Sequence, residues 1–120
     1  MVVVHSAAND SCNQHMARLK PDYWDLYSAQ GLAILLVITE DELGRTDDIS
    51  VLKQSYAIKS NFGFDFPVVA DPGAKRTGQY FQAQPLTLLV DKDEVIRNKV
   101  EGRIPDPSRM GQYITDLLNK

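Results

Sequence analysis

Apolar positions in this chain fall into short unbroken runs and into helical stripes, and the two kinds alternate. Val2, Val3 and Val4 form a β-branched run followed by a small and polar stretch from Ser6 to Ser11, the pattern of a buried strand passing into a loop. From Asn13 to Ala29 the residues Met16, Leu19, Tyr23, Trp24, Leu26 and Tyr27 recur at helical spacing, with Pro21 as an internal kink and Gly31 as the stop. Leu32 to Thr39 is continuously apolar and is bounded by Gly31 and the acidic Glu40-Asp41-Glu42. A strand covered on both faces looks like this, and it points to a parallel sheet. Asp47 and Asp48 start a second helix, in which the spacing of Ile49, Leu52 and Tyr56 predicts the apolar face as far as about Lys59.

Asn61 to Phe66 reads as a loop, Pro67 to Asp71 as a short strand, Ala74 to Phe81 as a short helix and Leu86 to Asp91 as a strand. Lys92-Asp93 turns that strand into an antiparallel hairpin with Glu94 to Val100. A last helix starts near Asp106-Pro107, with Met110, Tyr113, Ile114, Leu117 and Leu118 on one stripe. The order predicts an α/β fold: a central mixed sheet of four to five strands flanked by helices, closing with a C-terminal hairpin and helix. With no internal repeat, low-complexity segment or linker, residues 1–120 read as a single domain.

Composition narrows the classes of function. Hydrophobic residues at 43% and charged residues at 24% are those of a globular chain. Thirteen Lys and Arg against sixteen Asp and Glu leave a net charge of −3, and no basic run offers a footprint for nucleic acid or an anionic membrane. The longest apolar run, Leu32 to Ile38, falls far short of the roughly 20 residues that cross a bilayer, so no membrane insertion is expected. The N-terminus lacks the charged region and apolar core of a secretory signal. A trimmed chain loses its targeting information, so bacterial extracytoplasmic and cytoplasmic locations both stay open.

Cys12 is the one cysteine, which excludes an internal disulfide and a zinc site built from several thiolates. It lies where the first loop becomes a helix, and there the macrodipole and unpaired N–H groups favour thiolate over thiol. His15, three residues on, is the candidate to hold that thiolate or to move a proton to a leaving thiol. A metal site from Cys12, His15 and His5 has too few ligands and no spacing motif, and no cofactor is expected.

Val2-Val3-Val4, the loop with Cys12 and Lys20-Pro21-Asp22-Tyr23-Trp24-Asp25-Leu26-Tyr27 form a first set of matching segments. Phe66-Pro67-Val68-Val69-Ala70-Asp71-Pro72 is the second, and Tyr80-Phe81-Gln82-Ala83-Gln84-Pro85-Leu86-Thr87-Leu88-Leu89-Val90-Asp91 the third and most specific. Together they resemble the thioredoxin-like thiol-disulfide oxidoreductases, in the branch shared with the alkyl hydroperoxide reductase/thiol-specific antioxidant (redoxin) proteins. The resemblance implies a thioredoxin-like fold, with Cys12 at the position of the family's attacking cysteine and Pro85 as a cis-proline facing it. It also implies that Gln84 and Pro85 bind an extended peptide or thiol substrate. The partner is then a thiol- or disulfide-bearing protein, or a small thiol.

The chemistry-bearing stretch departs from the family's Trp-Cys-x-x-Cys. Here it reads Ser11-Cys12-Asn13-Gln14-His15-Met16, with Ser11 in place of the aromatic residue. Counting forward from Cys12 puts His15 in the place of the second cysteine, and counting back from Pro21 puts Met16 there. Three functions follow. The first is thiol-disulfide exchange through the single Cys12 by way of mixed disulfides. A one-cysteine peroxidase passing through a sulfenic acid is the second, although Asn9 stands where peroxiredoxins carry a threonine. The third is a redox-inactive module that binds peptides beside Gln84-Pro85.

Overall fold

The computed structural model of the chain describes residues 1–119. Five strands, β1 (Val2–Ser6), β2 (Leu35–Glu40), β3 (Val68–Ala70), β4 (Leu86–Val90) and β5 (Ile96–Glu101), form one sheet in the order β3-β2-β1-β4-β5. β1 runs parallel to β2, and β2 to β3, whereas β4 is antiparallel to both β1 and β5. The central strand β1 is covered on both sides, which is why its valines form an unbroken run rather than alternating with polar residues.

Helix α1 (Asp10–Leu19) follows β1 and continues through a π-helical turn, Lys20–Trp24, into the short α2 (Asp25–Tyr27). Pro21 sits inside the π turn, where the Asp25 N–H donates to the Lys20 carbonyl five residues back. Proline has no N–H to give the preceding turn, and the wider turn absorbs that gap without ending the helix. Gly31, at φ +109°, then reverses the chain. α3 (Asp48–Phe62) is capped by the Asp47 carboxylate, which accepts from the Ser50 N–H, and is terminated by Gly63 at φ +64°. α4 (Pro107–Leu118) has Asp106 as its cap and Pro107 as its first residue.

The main core gathers Val3, Leu36 and Ile38 of the sheet with Met16 and Leu19 of α1, Tyr23 of the π turn, Val51 and Ile58 of α3, Phe64 and Phe66 of the loop after it, and Met110 and Ile114 of α4. Alternate residues of the same strands, Val4, Val37, Leu86 and Leu88, make a smaller cluster on the other face, with Phe81 against it.

Five sequence expectations need correction. The first helix starts at Asp10 rather than at Cys12, and Leu26, expected in its apolar stripe, is exposed. The second strand starts three residues later than expected, at Leu35. Ala74 to Phe81 is not one helix but two 3-10 turns, Pro72–Ala74 and Thr77–Tyr80. The Asp71 carboxylate accepts from the N–H groups of Arg76 and Thr77 and from the Thr77 hydroxyl, and so it holds this tight path in place of helical ladder bonds. Finally, α3 turns Val51, Ser55 and Ile58 to the core, whereas Ile49, Leu52 and Tyr56 face outward.

Candidate functional site

The junction of β1 and α1 faces the loop that precedes β4, and every candidate residue lies there. Ser6 ends β1, and its hydroxyl accepts from the Ala8 N–H at 3.2 Å. The Asn13 side-chain amide donates to the Ala7 carbonyl at 2.9 Å. These two bonds fix a loop of only three residues. Asn9, in extended conformation, is consequently the helix cap: its Oδ1 accepts from the Cys12 N–H at 3.0 Å. Cys12 is therefore the third residue of the helix.

One turn of helix changes the character of that thiol. Cys12 has no exposed surface, and its Sγ accepts a single hydrogen bond, from the Ser6 N–H at 3.4 Å. Burial pushes its pKa up to about 11, with the Glu40 carboxylate acting in the same direction and the Ser6 N–H only partly offsetting them. The sequence pointed to a thiolate favoured by the helix N-terminus. The terminus is present, but the loss of water around the sulfur outweighs it.

His15 is also wholly buried, and its partner is a second buried histidine rather than the thiol. The Nδ1 of His15 lies 2.9 Å from the Nε2 of His5 on β1. One of the two nitrogens carries the shared proton, and the tautomers are set accordingly. The outer nitrogens, His5 Nδ1 and His15 Nε2, are buried without a hydrogen-bond partner among the described residues. Burial holds the pKa of His15 down at about 4, helped by the Arg18 charge and opposed by Asp22. His5 is pushed down too, by burial and then by His15. Both rings are neutral at pH 7, so His15 supplies no imidazolium to a thiolate.

Across from Asn9, the Gln84–Pro85 peptide bond is cis. Pro85 is buried and Gln84 half-buried. The sheet pairing of β4 begins only at Leu86, which leaves Gln84 beyond the end of the ladder. The Thr39 hydroxyl, at the end of β2, lies 3.3 Å from the His5 carbonyl and 3.1 Å from the Gln84 side-chain oxygen, and it ties the loop to both central strands. Between this loop and the helix cap runs an open groove of about 360 Å³, lined by Ser6, Ala8, Asn9, Glu40, Phe81, Gln82 and Gln84. Asn9 lines the groove and Cys12 does not. No three His, Cys, Asp or Glu side chains among the described residues stand where they could hold a metal ion.

Asn9, His5, Thr39 and Glu40 belong to this site although sequence reasoning gave none of them a role in it. Asn9 carried the one usable signal, a good capping residue three positions before Cys12.

Several solved structures share this architecture. The chain matches the solution structure of a candidate protein disulfide isomerase from Bacteroides thetaiotaomicron with TM-score 0.75 and 17% identity, over 99% of this chain and 74% of that one. It matches the crystal structure of a candidate thiol:disulfide interchange protein DsbE from Chlorobium tepidum with TM-score 0.72 and 17% identity, over 98% of this chain and 77% of that one. A secreted thiol-disulfide isomerase from Corynebacterium glutamicum gives TM-score 0.69 and 17% identity, over 99% and 70%.

The chain has a thioredoxin-like fold. The likeness is one of backbone, since no protein-family model and no curated protein matches the sequence. Within this thioredoxin-like frame the groove carries an amide at the helix cap, and no helix among the described residues is long and apolar enough to cross a membrane.

Proposed function

We propose that this thioredoxin-like chain binds an extended segment of a partner protein in the groove between Asn9 and the Gln84–Pro85 loop, without exchanging disulfides through it. The observation that carries this reading is the identity of the residue that caps α1 beside the groove. It is Asn9, while the one thiol is sealed beneath the first helical turn. In this register Asn9-Asp10-Ser11-Cys12 takes the place of a Cys-x-x-Cys. Asn9 replaces the attacking thiol, and Cys12 stands in the position of the second, buried one. Neither His15 nor Met16, both buried further along the helix, belongs to the motif. Gln84, beyond the end of the β4 ladder, offers main-chain groups to an extended segment, Phe81 offers an apolar wall, and Glu40 a negative charge.

Thiol-disulfide exchange through Cys12, or its oxidation by peroxide, requires the first turn of α1 to open before the sulfur meets another molecule. Two measurements separate the readings. In the native protein, iodoacetamide is expected to modify Cys12 far more slowly than a free thiol at pH 8, and the rate keeps rising toward a pKa near 11. Fast modification at neutral pH, or a glutathione mixed disulfide formed under native conditions, would overturn the proposal in favour of exchange. Asn9→Cys is expected to create a dithiol with Cys12 that closes on oxidation and reduces insulin, whereas His15→Cys and Met16→Cys gain nothing. For binding itself, reduced and carboxymethylated lactalbumin, an extended chain without free thiols, should shift the amide resonances of Asn9, Phe81, Gln82 and Gln84. A titration that leaves these four unmoved refutes the groove as the binding site.

A further inference from the structure

Among the described residues, nothing covers the outer face of α3. Ile49, Leu52 and Tyr56 are 67%, 45% and 65% exposed, because the core draws on Val51, Ser55 and Ile58 from the opposite side of the helix. Isolated exposed apolar residues are ordinary, but these three are contiguous. Their spacing of three and then four residues is that of a coiled-coil seam, so they form a narrow apolar stripe along the outward side.

The stripe reads the same from both ends. About a point between Leu52 and Lys53, a second copy of the helix running the opposite way sets Ile49 of each copy against Tyr56 of the other, and Leu52 against Leu52. The charges obey the same symmetry. Asp48 at the first turn and Lys59 in the last are both exposed and lie on the same flank of the stripe, three turns apart; the Lys59 ammonium donates to the Phe66 carbonyl at 3.2 Å and keeps further N–H groups to give. An antiparallel pairing brings Asp48 of one copy to within about 3 Å, along the axis, of the level of Lys59 in the other, at both ends. It also sets each helix N-terminus beside the other's C-terminus, which the macrodipoles favour. Lys53 flanks the other side of the seam, where its methylene stem can lie over the apolar residues with its ammonium in water.

We propose that α3 forms the interface of a two-fold symmetric dimer of this chain. The occupant that fits is a second copy because the pattern complements itself, as a two-fold interface requires. One helix from each copy, with three large apolar residues apiece, makes a contact at the small end of specific interfaces, so the dimer is weak, with a dissociation constant on the order of 10 µM.

Sedimentation equilibrium of the whole chain, well below and well above that concentration, should show the mass rising from 13.5 kDa toward twice that value. Leu52→Glu should weaken association by more than tenfold while leaving the far-ultraviolet circular dichroism unchanged. Leu26→Glu, at a site that is 57% exposed but outside the stripe, should leave association as it is. Asp48→Lys should weaken the dimer, and adding Lys59→Asp to it should restore association, a rescue that only pairing between copies explains. A chain that stays monomeric at high concentration overturns the proposal, and so does a dimer that survives Leu52→Glu.

Discussion

Acid should unfold this protein in two separable steps, and the first belongs to the His5–His15 pair. The facing nitrogens, 2.9 Å apart, already share one proton, so the next proton has to go to His5 Nδ1 or His15 Nε2. Both atoms are buried with no partner to receive the new N–H. For His15, burial and then the Arg18 charge lower the pKa from 6.5 to about 4, with Asp22 opposing them. Between those two values the unfolded chain binds more protons than the folded one, so stability falls as the pH falls. The contribution is intact above about pH 6.5 and lost progressively toward pH 4. At 1.36 kcal/mol per unit, the loss from His15 alone is about 3 kcal/mol, a large part of the 5–15 kcal/mol that typically holds a domain together. His5 is shifted in the same direction and adds to the loss.

The second step lies lower. Asp41, Asp47, Asp71 and Asp91 are held below the ordinary carboxylate range by hydrogen bonds they accept, so the stability they contribute is lost only as pH falls below about 4. Urea unfolding followed by circular dichroism, in steps from about pH 7 to pH 4.5, isolates the histidine step. The wild-type free energy of unfolding should drop across that range, and a His5→Leu/His15→Leu double variant should show a much flatter profile. A flat wild-type profile, or a double variant that falls as steeply, refutes the argument.

Two further outcomes test the local architecture. Asn9→Ala removes the cap on the Cys12 N–H and should lower stability by about 1 kcal/mol, whereas Asn9→Asp should restore most of it, read as the shift in urea midpoint. Asp71→Ala strips partners from the Thr77 hydroxyl and from the N–H groups of Arg76 and Thr77. It should cost roughly 2–3 kcal/mol and speed amide exchange across the 3-10 turns before β4, and unchanged exchange there would show that the turns hold without the carboxylate.

The strands and the last helix were legible in the sequence because each had a single solution. Val2–Val4 and Leu35–Ile38 lie in unbroken apolar runs that can only be covered on both faces. In α4, Met110 and Ile114 are buried, with Tyr113, Leu117 and Leu118 packed against the same cluster, as its one stripe requires. α3 offered two answers. Ile49, Leu52 and Tyr56 make the larger stripe, but Val51 and Ile58 make another on the opposite side, and periodicity cannot choose between two apolar faces. The choice depends on what the helix meets, here the sheet residues Leu36 and Ile38 with Phe64 and Phe66, and no local window contains that information. The sequence from Ala74 to Phe81 reads as a helix, where the structure has two tight turns, for a related reason. Asp71 supplies from a distance the acceptors that a helix supplies from its own backbone.

At the site the difficulty narrows to one register. Asn9, Asp10 and Ser11 are three consecutive residues that all cap helices well. In a helix of 3.6 residues per turn, moving the cap by one position rotates every later side chain by about 100°. With the cap at Ser11, Cys12 would be the first helical residue, in reach of water and of the unpaired N–H groups. With the cap at Asn9 it becomes the third and turns into the core beneath Ser6. The selection is made by bonds that sequence pattern does not announce, the Ala8 N–H to the Ser6 hydroxyl and the Asn13 amide to the Ala7 carbonyl, which end the loop after three residues. That short loop is also what brings His15 against His5, because a helix that starts at Asp10 directs its sixth residue at the sheet. The buried thiol and the neutral histidine pair are thus two consequences of one capping choice. With the cap at Ser11 instead, the same stretch from His5 to His15 would carry its cysteine at the first helical position rather than beneath the first turn.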